Sequence, residues 1–163
     1  MAGMVRAAPS ARFELEQHPF FWLTQTIGSR DRQLSGALRE YGLRVPEYRV
    51  LASLCARRHC TMSELSDLST IDRSTLTRTV ERMVEAGWVQ RLDDAADLRV
   101  RRLGLSARGR QLFDCVWPAV ERLNRLAVEG LSAADVATLR TLLRRMKQNL
   151  ERAHDAPAEA LTA

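Results

Sequence analysis

Lysine is nearly missing from this chain. Of 25 Lys and Arg residues, 24 are arginine and one, Lys147, is lysine. Aromatics make up 6% of the residues, and there are 5 prolines and 8 glycines. So little Gly and Pro excludes a collagen-like or low-complexity chain and favours helix. The 3 cysteines are odd in number and lack paired spacing, which argues against a disulfide scaffold and for a reducing cytoplasm. No apolar run reaches the roughly 18 residues of a membrane span. The N-terminal stretch has no apolar segment of the signal-peptide kind. A Gly-rich phosphate loop and a paired nucleophile and base are both missing, and His18, His59 and His154 are scattered. Neither an enzyme nor a cofactor is therefore expected. Cys55, His59 and Cys60 lie close in sequence, but without a fourth ligand no metal site is expected.

What is present is an ordinary globular composition. The 163 residues are 45% hydrophobic and 28% charged, enough for a buried core. The net charge of +5 favours a polyanionic partner, though only modestly. With 20 acidic residues also present, the placement of the arginines matters more than their total.

Residues 1–18 read as a flexible arm. Pro19 suits a first helical position and Gly42 the position after a helix, with Phe20, Leu23, Ile27, Leu34, Leu38 and Tyr41 apolar between them. A second helix starts at Pro46 and carries Tyr48, Val50, Leu51 and Leu54. Thr61 and Glu64 form a capping box for a short third helix, with Leu65 and Leu68 expected to face inward. After a turn at residues 69–71, Asp72 caps a fourth helix. On that helix Leu76, Val80, Met83 and Val84 form a core-facing stripe. Ser74, Arg78 and Arg82 fall on the opposite side, flanked by Thr75 and by Thr77, which lies nearer the core. Gly87 stops the helix. Two short runs, 88–92 and 100–105, then read as a hairpin joined by residues 93–99.

Ser106 caps the next helix, in which Pro118 removes one ladder hydrogen bond. Ser132 caps the last one, where Leu139, Leu143, Met146 and Leu150 repeat in heptad fashion. Residues 153–163 look frayed. The expected fold is mainly α with a small β-hairpin wing. It is a winged helix-turn-helix at 43–105, with long N- and C-terminal dimerisation helices at 19–42 and 106–152. A heptad seam needs a partner helix, and a symmetric homodimer is the usual solution.

These residues resemble the MarR family of bacterial transcription regulators over about 20–150. The most specific match is Asp97-Leu98-Arg99 followed by Leu103, Leu105, Ser106, Gly109 and Arg110, similar to the family's wing signature. Asp72-Arg73-Ser74-Thr75-Leu76-Thr77-Arg78 and Val84-Glu85-Ala86-Gly87-Trp88-Val89-Gln90-Arg91 add to it. The resemblance implies a homodimer on a palindromic operator, with recognition helices in successive major grooves. It also implies that Arg99 enters the minor groove, held in position by Asp97. A narrow A·T minor groove concentrates negative potential and attracts a guanidinium, in keeping with that role.

The expected DNA contacts are Ser74, Thr75, Thr77 and Arg78, with Arg73, Arg82, Asp97 and Arg99, and with Thr61 and Ser63 at the start of the third helix. Arg82 is read as a phosphate contact or as a surface ion pair with Glu81 or Glu85. Arg101 and Arg102 point to opposite faces of a strand. Family members often bind a small aromatic or acidic ligand. Here Phe20, Phe21, Trp22 and Trp117 would supply an aromatic wall, and His18 or Arg49 an anchor for a carboxylate. The plainer reading of the same residues is dimer core. Two other functions stay open. One is a winged helix used for protein–protein assembly without DNA. The other is a redox-responsive regulator acting through Cys60, whose thiol pKa neighbouring Arg57 and Arg58 would lower.

Overall fold

The computed structural model describes residues 14–93 and 101–155. The wing tip, including Asp97 and Arg99, lies outside the described residues. Six helices occur among them: α1 (Pro19–Arg39), α2 (Val45–Ala56), α3 (Met62–Ser69), α4 (Arg73–Glu85), α5 (Ala107–Ala127) and α6 (Ala133–Asp155). Strands β1 (Val89–Asp93) and β2 (Arg101–Leu105) lie between α4 and α5. They pair antiparallel, Val89 opposite Leu105 and Arg91 opposite Leu103. The fold is the expected mainly α architecture with a two-stranded hairpin. Within the stretch read as an arm, Leu15–Gln17 form one 3-10 turn.

Local chemistry sets the helix ends. Pro19 stands at the start of α1, and Gly42 follows it with a positive φ of 65°. The Thr61 backbone N–H donates to Glu64 at 2.8 Å and the Glu64 N–H donates to the Thr61 hydroxyl at 3.3 Å, closing the capping box of α3. The turn from α3 to α4 passes through Thr70, which adopts left-handed φ 54°. That conformation is unusual for a β-branched residue. The Ser66 hydroxyl ties the turn down by donating to the Ile71 carbonyl at 2.9 Å. Helix α2 begins one residue before Pro46, which leaves Arg44 as its N-cap.

The chain divides between Leu123 and Asn124 into two compact units. In the first, one core joins Leu34 and Leu38 of α1 to Val50, Leu51 and Leu54 of α2. The same core takes in Leu65, Leu76, Val80, Met83, Val89, Leu103, Val116 and Val120. Half of α1 and half of α5 thus share the core of the winged domain. Leu68 does not: it is 45% exposed, and Ser69 is the buried neighbour of Leu65 on α3. The expectation that Leu68 faces inward is corrected. At four-residue spacing Ser69 stands above Leu65, and Leu68 is rotated off that face.

A backbone bridge from outside the two strands braces the hairpin. Cys60 N–H donates to the Leu103 carbonyl at 3.0 Å and Leu103 N–H returns to the Cys60 carbonyl at 2.7 Å. In the second unit, Ser132 and Asp135 cap α6 reciprocally, the Asp135 N–H reaching the serine hydroxyl at 3.1 Å. Leu139, Leu142, Leu143 and Leu150 of α6 are all exposed. No helix among the described residues is long and apolar enough to cross a membrane.

Candidate DNA-binding site

Helix α4 presents two different surfaces. Leu76, Thr79, Val80 and Met83 are buried beneath it. Arg73, Ser74, Thr77 and Arg78 are exposed, and Thr75 is partly so. The expectation that Thr77 lies nearer the core is corrected; the buried threonine is Thr79, which back-bonds to the Thr75 carbonyl at 2.8 Å.

Asp72 organises the start of this helix. Its carboxylate accepts from the Thr75 backbone N–H at 2.9 Å and from the Ser74 hydroxyl at 2.7 Å. The Ser74 hydroxyl, then Thr75, hold the Asp72 pKa at about 2. The Thr77 hydroxyl donates to the Arg73 carbonyl at 2.9 Å. Ser74 and Thr77 therefore use their protons within the helix. Their oxygen lone pairs remain, which suits them to accept from base amino groups.

Two arginine-lined clefts flank the helix. One, of about 480 Å³, is bounded by Arg44, Pro46, Thr75, Arg78, Thr79 and Arg82. The other, of about 520 Å³, lies against the hairpin and takes Arg73, Thr77, Arg91 and Arg101 into its wall. Arg101 thus faces α4, whereas Arg102 lies 3.8 Å from Glu64 of α3. The two side chains do point to opposite faces. A helix lying in a major groove has a phosphate backbone on each side, and the two clefts match that arrangement.

Arg82 does not pair with Glu81 or Glu85. Its guanidinium meets Glu47, a fully buried carboxylate on α2. Desolvation, then the like charge of Arg44, lower the Arg82 pKa. Thr61 uses its hydroxyl in the α3 cap, and Ser63 is exposed beside it.

The candidate ligand residues fall into separate contacts. Phe21 and Trp22 meet edge to face at 5.1 Å, and the Trp22 indole N–H donates to the Glu16 carbonyl at 2.7 Å. Trp117 stacks on Phe113 at 5.8 Å, and Phe113 on Tyr48 at 6.5 Å. Arg49 donates to Asp31 of α1 at 2.7 Å. His18 is the N-cap residue of α1.

Cys60 is buried, and burial, then the charge of Glu64, push its thiol pKa up. Arg57 and Arg102 pull the other way and are outweighed. The expected lowering of its pKa is corrected.

A helix-turn-helix packed on a hairpin, with an arginine-flanked second helix, defines a winged-helix DNA-binding protein. Residues 43–100 match the MarR family model. The HTH-type transcriptional repressor IacR of Pseudomonas putida is 30% identical over 142 residues, covering 87% of this chain and 85% of IacR. The multiple antibiotic resistance protein MarR of Escherichia coli is 30% identical over 118 residues, covering 72% of this chain and 82% of MarR. A crystal structure of a variant of that MarR with operator DNA aligns at TM-score 0.68 and 28% identity, over 80% of this chain and 95% of that one. CouR from Rhodococcus jostii bound to p-coumaroyl-CoA aligns at TM-score 0.75 and 25% identity, over 82% and 94%. The chain belongs to the MarR family and is a DNA-binding transcription regulator. Its relatives are regulators rather than enzymes.

Proposed function

We propose that the protein is a repressor that binds a palindromic operator as a homodimer and is released by a small aromatic or acidic ligand. The observation that carries this reading is the split surface of α4. Its apolar side is locked in the core, and Ser74, Thr75, Thr77 and Arg78 stand outside between two arginine clefts. Ser74, Thr75, Thr77 and Arg78 read base edges, while Arg73 and Arg82, with Thr61 and Ser63 at the head of α3, meet backbone phosphates. Arg99, oriented by Asp97, enters the minor groove. The exposed leucines of α6 supply the seam between two copies. The repressor role is supported by IacR, and an aromatic ligand by CouR, which is bound to p-coumaroyl-CoA.

Footprinting on DNA upstream of its own gene tests the operator. Two symmetric protected half-sites about one helical turn apart are expected. Arg99→Ala that binds this DNA as tightly as the parent at moderate salt would remove the wing assignment. A thermal-shift screen of aromatic acids and their thioesters tests the effector, since a ligand of the native state raises Tm. The expected hit also weakens operator binding.

A further inference from the structure

Arg44 is not among residues 72–78, 84–91 or 97–110, yet it shares a cleft with the outer face of α4. It is the N-cap residue of α2, with a side chain 64% exposed. Below it lies Glu47, whose side chain is 0% exposed. One Glu47 oxygen accepts from the Arg44 backbone N–H at 2.8 Å. The other faces both the Arg44 guanidinium, at 3.6 Å, and that of Arg82. A single buried carboxylate thus gathers an arginine from α2 and one from the recognition helix. With Arg78 on the same wall, the cleft holds three guanidinium groups over one carboxylate.

We propose that Arg44 is a DNA-phosphate contact, and that Glu47 is the positioning residue that sets Arg44 and Arg82 as a clamp on one backbone phosphate beside the groove α4 reads. The proposal rests on the DNA-binding reading and adds to it a contact on α2 and the group that orients it. The net positive charge of the cleft suits a phosphodiester. Planar guanidinium groups grip phosphate oxygens in a fixed fork, which a point charge does not. Glu47 is screened from the DNA by the two cations above it. A buried ion pair adds little to stability over an apolar pair of the same volume, and its better-supported use is to fix geometry. Holding two long side chains in place during folding leaves less freedom to lose on binding.

The experiment is fluorescence anisotropy on two duplexes across a salt series. One duplex is selected by the parent protein from a random pool, and the other is of random sequence. Arg44→Ala is expected to bind both about tenfold more weakly, because a phosphate contact carries no sequence information. Its slope of log K against log salt should be shallower by about 0.9 per phosphate lost. Glu47→Gln separates positioning from bulk electrostatics by sign. Removing a negative charge near DNA tightens binding on charge alone, whereas loss of the clamp weakens it and flattens the slope. Adding Arg44→Ala to Glu47→Gln should then cost little more.

Arg44→Ala with parental affinity and slope, or a folded Glu47→Gln that binds as tightly as the parent or more so, overturns the proposal. Circular dichroism and a thermal melt establish folding of Glu47→Gln. If it does not fold, Arg44→Ala and Arg44→Lys decide, the lysine being expected between parent and alanine. A parent protein that binds neither duplex would refute the regulator reading itself, a separate result from a parent that binds and an Arg44→Ala that matches it.

Discussion

Gly109 of α5 lies directly on the carbonyl of Trp88. A methyl group placed on its α-carbon would stand 2.8 Å from the Trp88 carbonyl carbon and 3.2 Å from its α-carbon, closer still to the oxygen. The contact is fixed from both ends. The Ser106 hydroxyl donates to the Gly87 carbonyl at 2.6 Å and accepts from the Gly109 N–H at 3.0 Å. Helix α5 is thereby docked on the turn that ends α4, which explains the Ser106…Gly109 spacing physically. Gly109→Ala must push the two backbones apart. It is expected to lower stability by about 3 kcal/mol, read by denaturant titration, because backbone cannot yield as a side-chain tip can.

Asp72 gives a pH signature. Its folded-state pKa of about 2 lies below the ordinary 3.8. The stabilisation it supplies is therefore fully present above about pH 4 and is lost as pH falls from about 4 to about 2. Asp72→Asn keeps an oxygen acceptor but not the charge. The parent should melt above Asp72→Asn at pH 7, and the difference should close across that acid window. A gap that stays constant down to pH 2 would mean the carboxylate is not what caps α4.

The exposed leucines of α6 predict a partner helix. Sedimentation should give twice the chain mass for the parent. Leu139→Glu with Leu143→Glu should weaken self-association by about a hundredfold or more, as expected for charges placed in an apolar seam. The double variant should keep the melting cooperativity of the winged unit, whose core contains neither residue.

Cys60 is expected to be inert. It is buried with a raised pKa, whereas Cys115 is exposed. A disulfide reagent at pH 7 should modify Cys115 first, and Cys60 at least about a hundredfold more slowly, since the thiolate is the reactive form. Loss of DNA binding on mild peroxide, abolished by Cys60→Ala, would reverse this view.

Much of the fold was legible because its determinants are local. The Thr61–Glu64 and Asp72 caps, the Ser132 cap and the stops at Gly42 and Gly87 all act within a few residues. The stripe of Leu76, Val80 and Met83 follows from helical period alone. What was not legible depends on tertiary neighbours. Sequence offers Arg82 two near acids, yet it turns to Glu47, 35 positions earlier, because α2 packs against α4. Leu68 looked inward since an eight-residue helix cannot distinguish a three- from a four-residue step. Cys60 sits among arginines in sequence, but its backbone pairs with β2 and carries the thiol out of water. A charged residue heading a helix at Arg44, with Glu47 three positions on, was the available hint of the α2 cleft.

The outer face of α4 is proposed to read DNA sequence, with Arg78 as one of its readers. Anisotropy titration of parent and Arg78→Ala against the selected and random duplexes, across salt, tests it most directly. The parent is expected to prefer the selected duplex by at least about a thousandfold, and Arg78→Ala to lose about 1–3 kcal/mol on it, narrowing that preference. Equal binding of parent and Arg78→Ala on both duplexes at every salt concentration would contradict it.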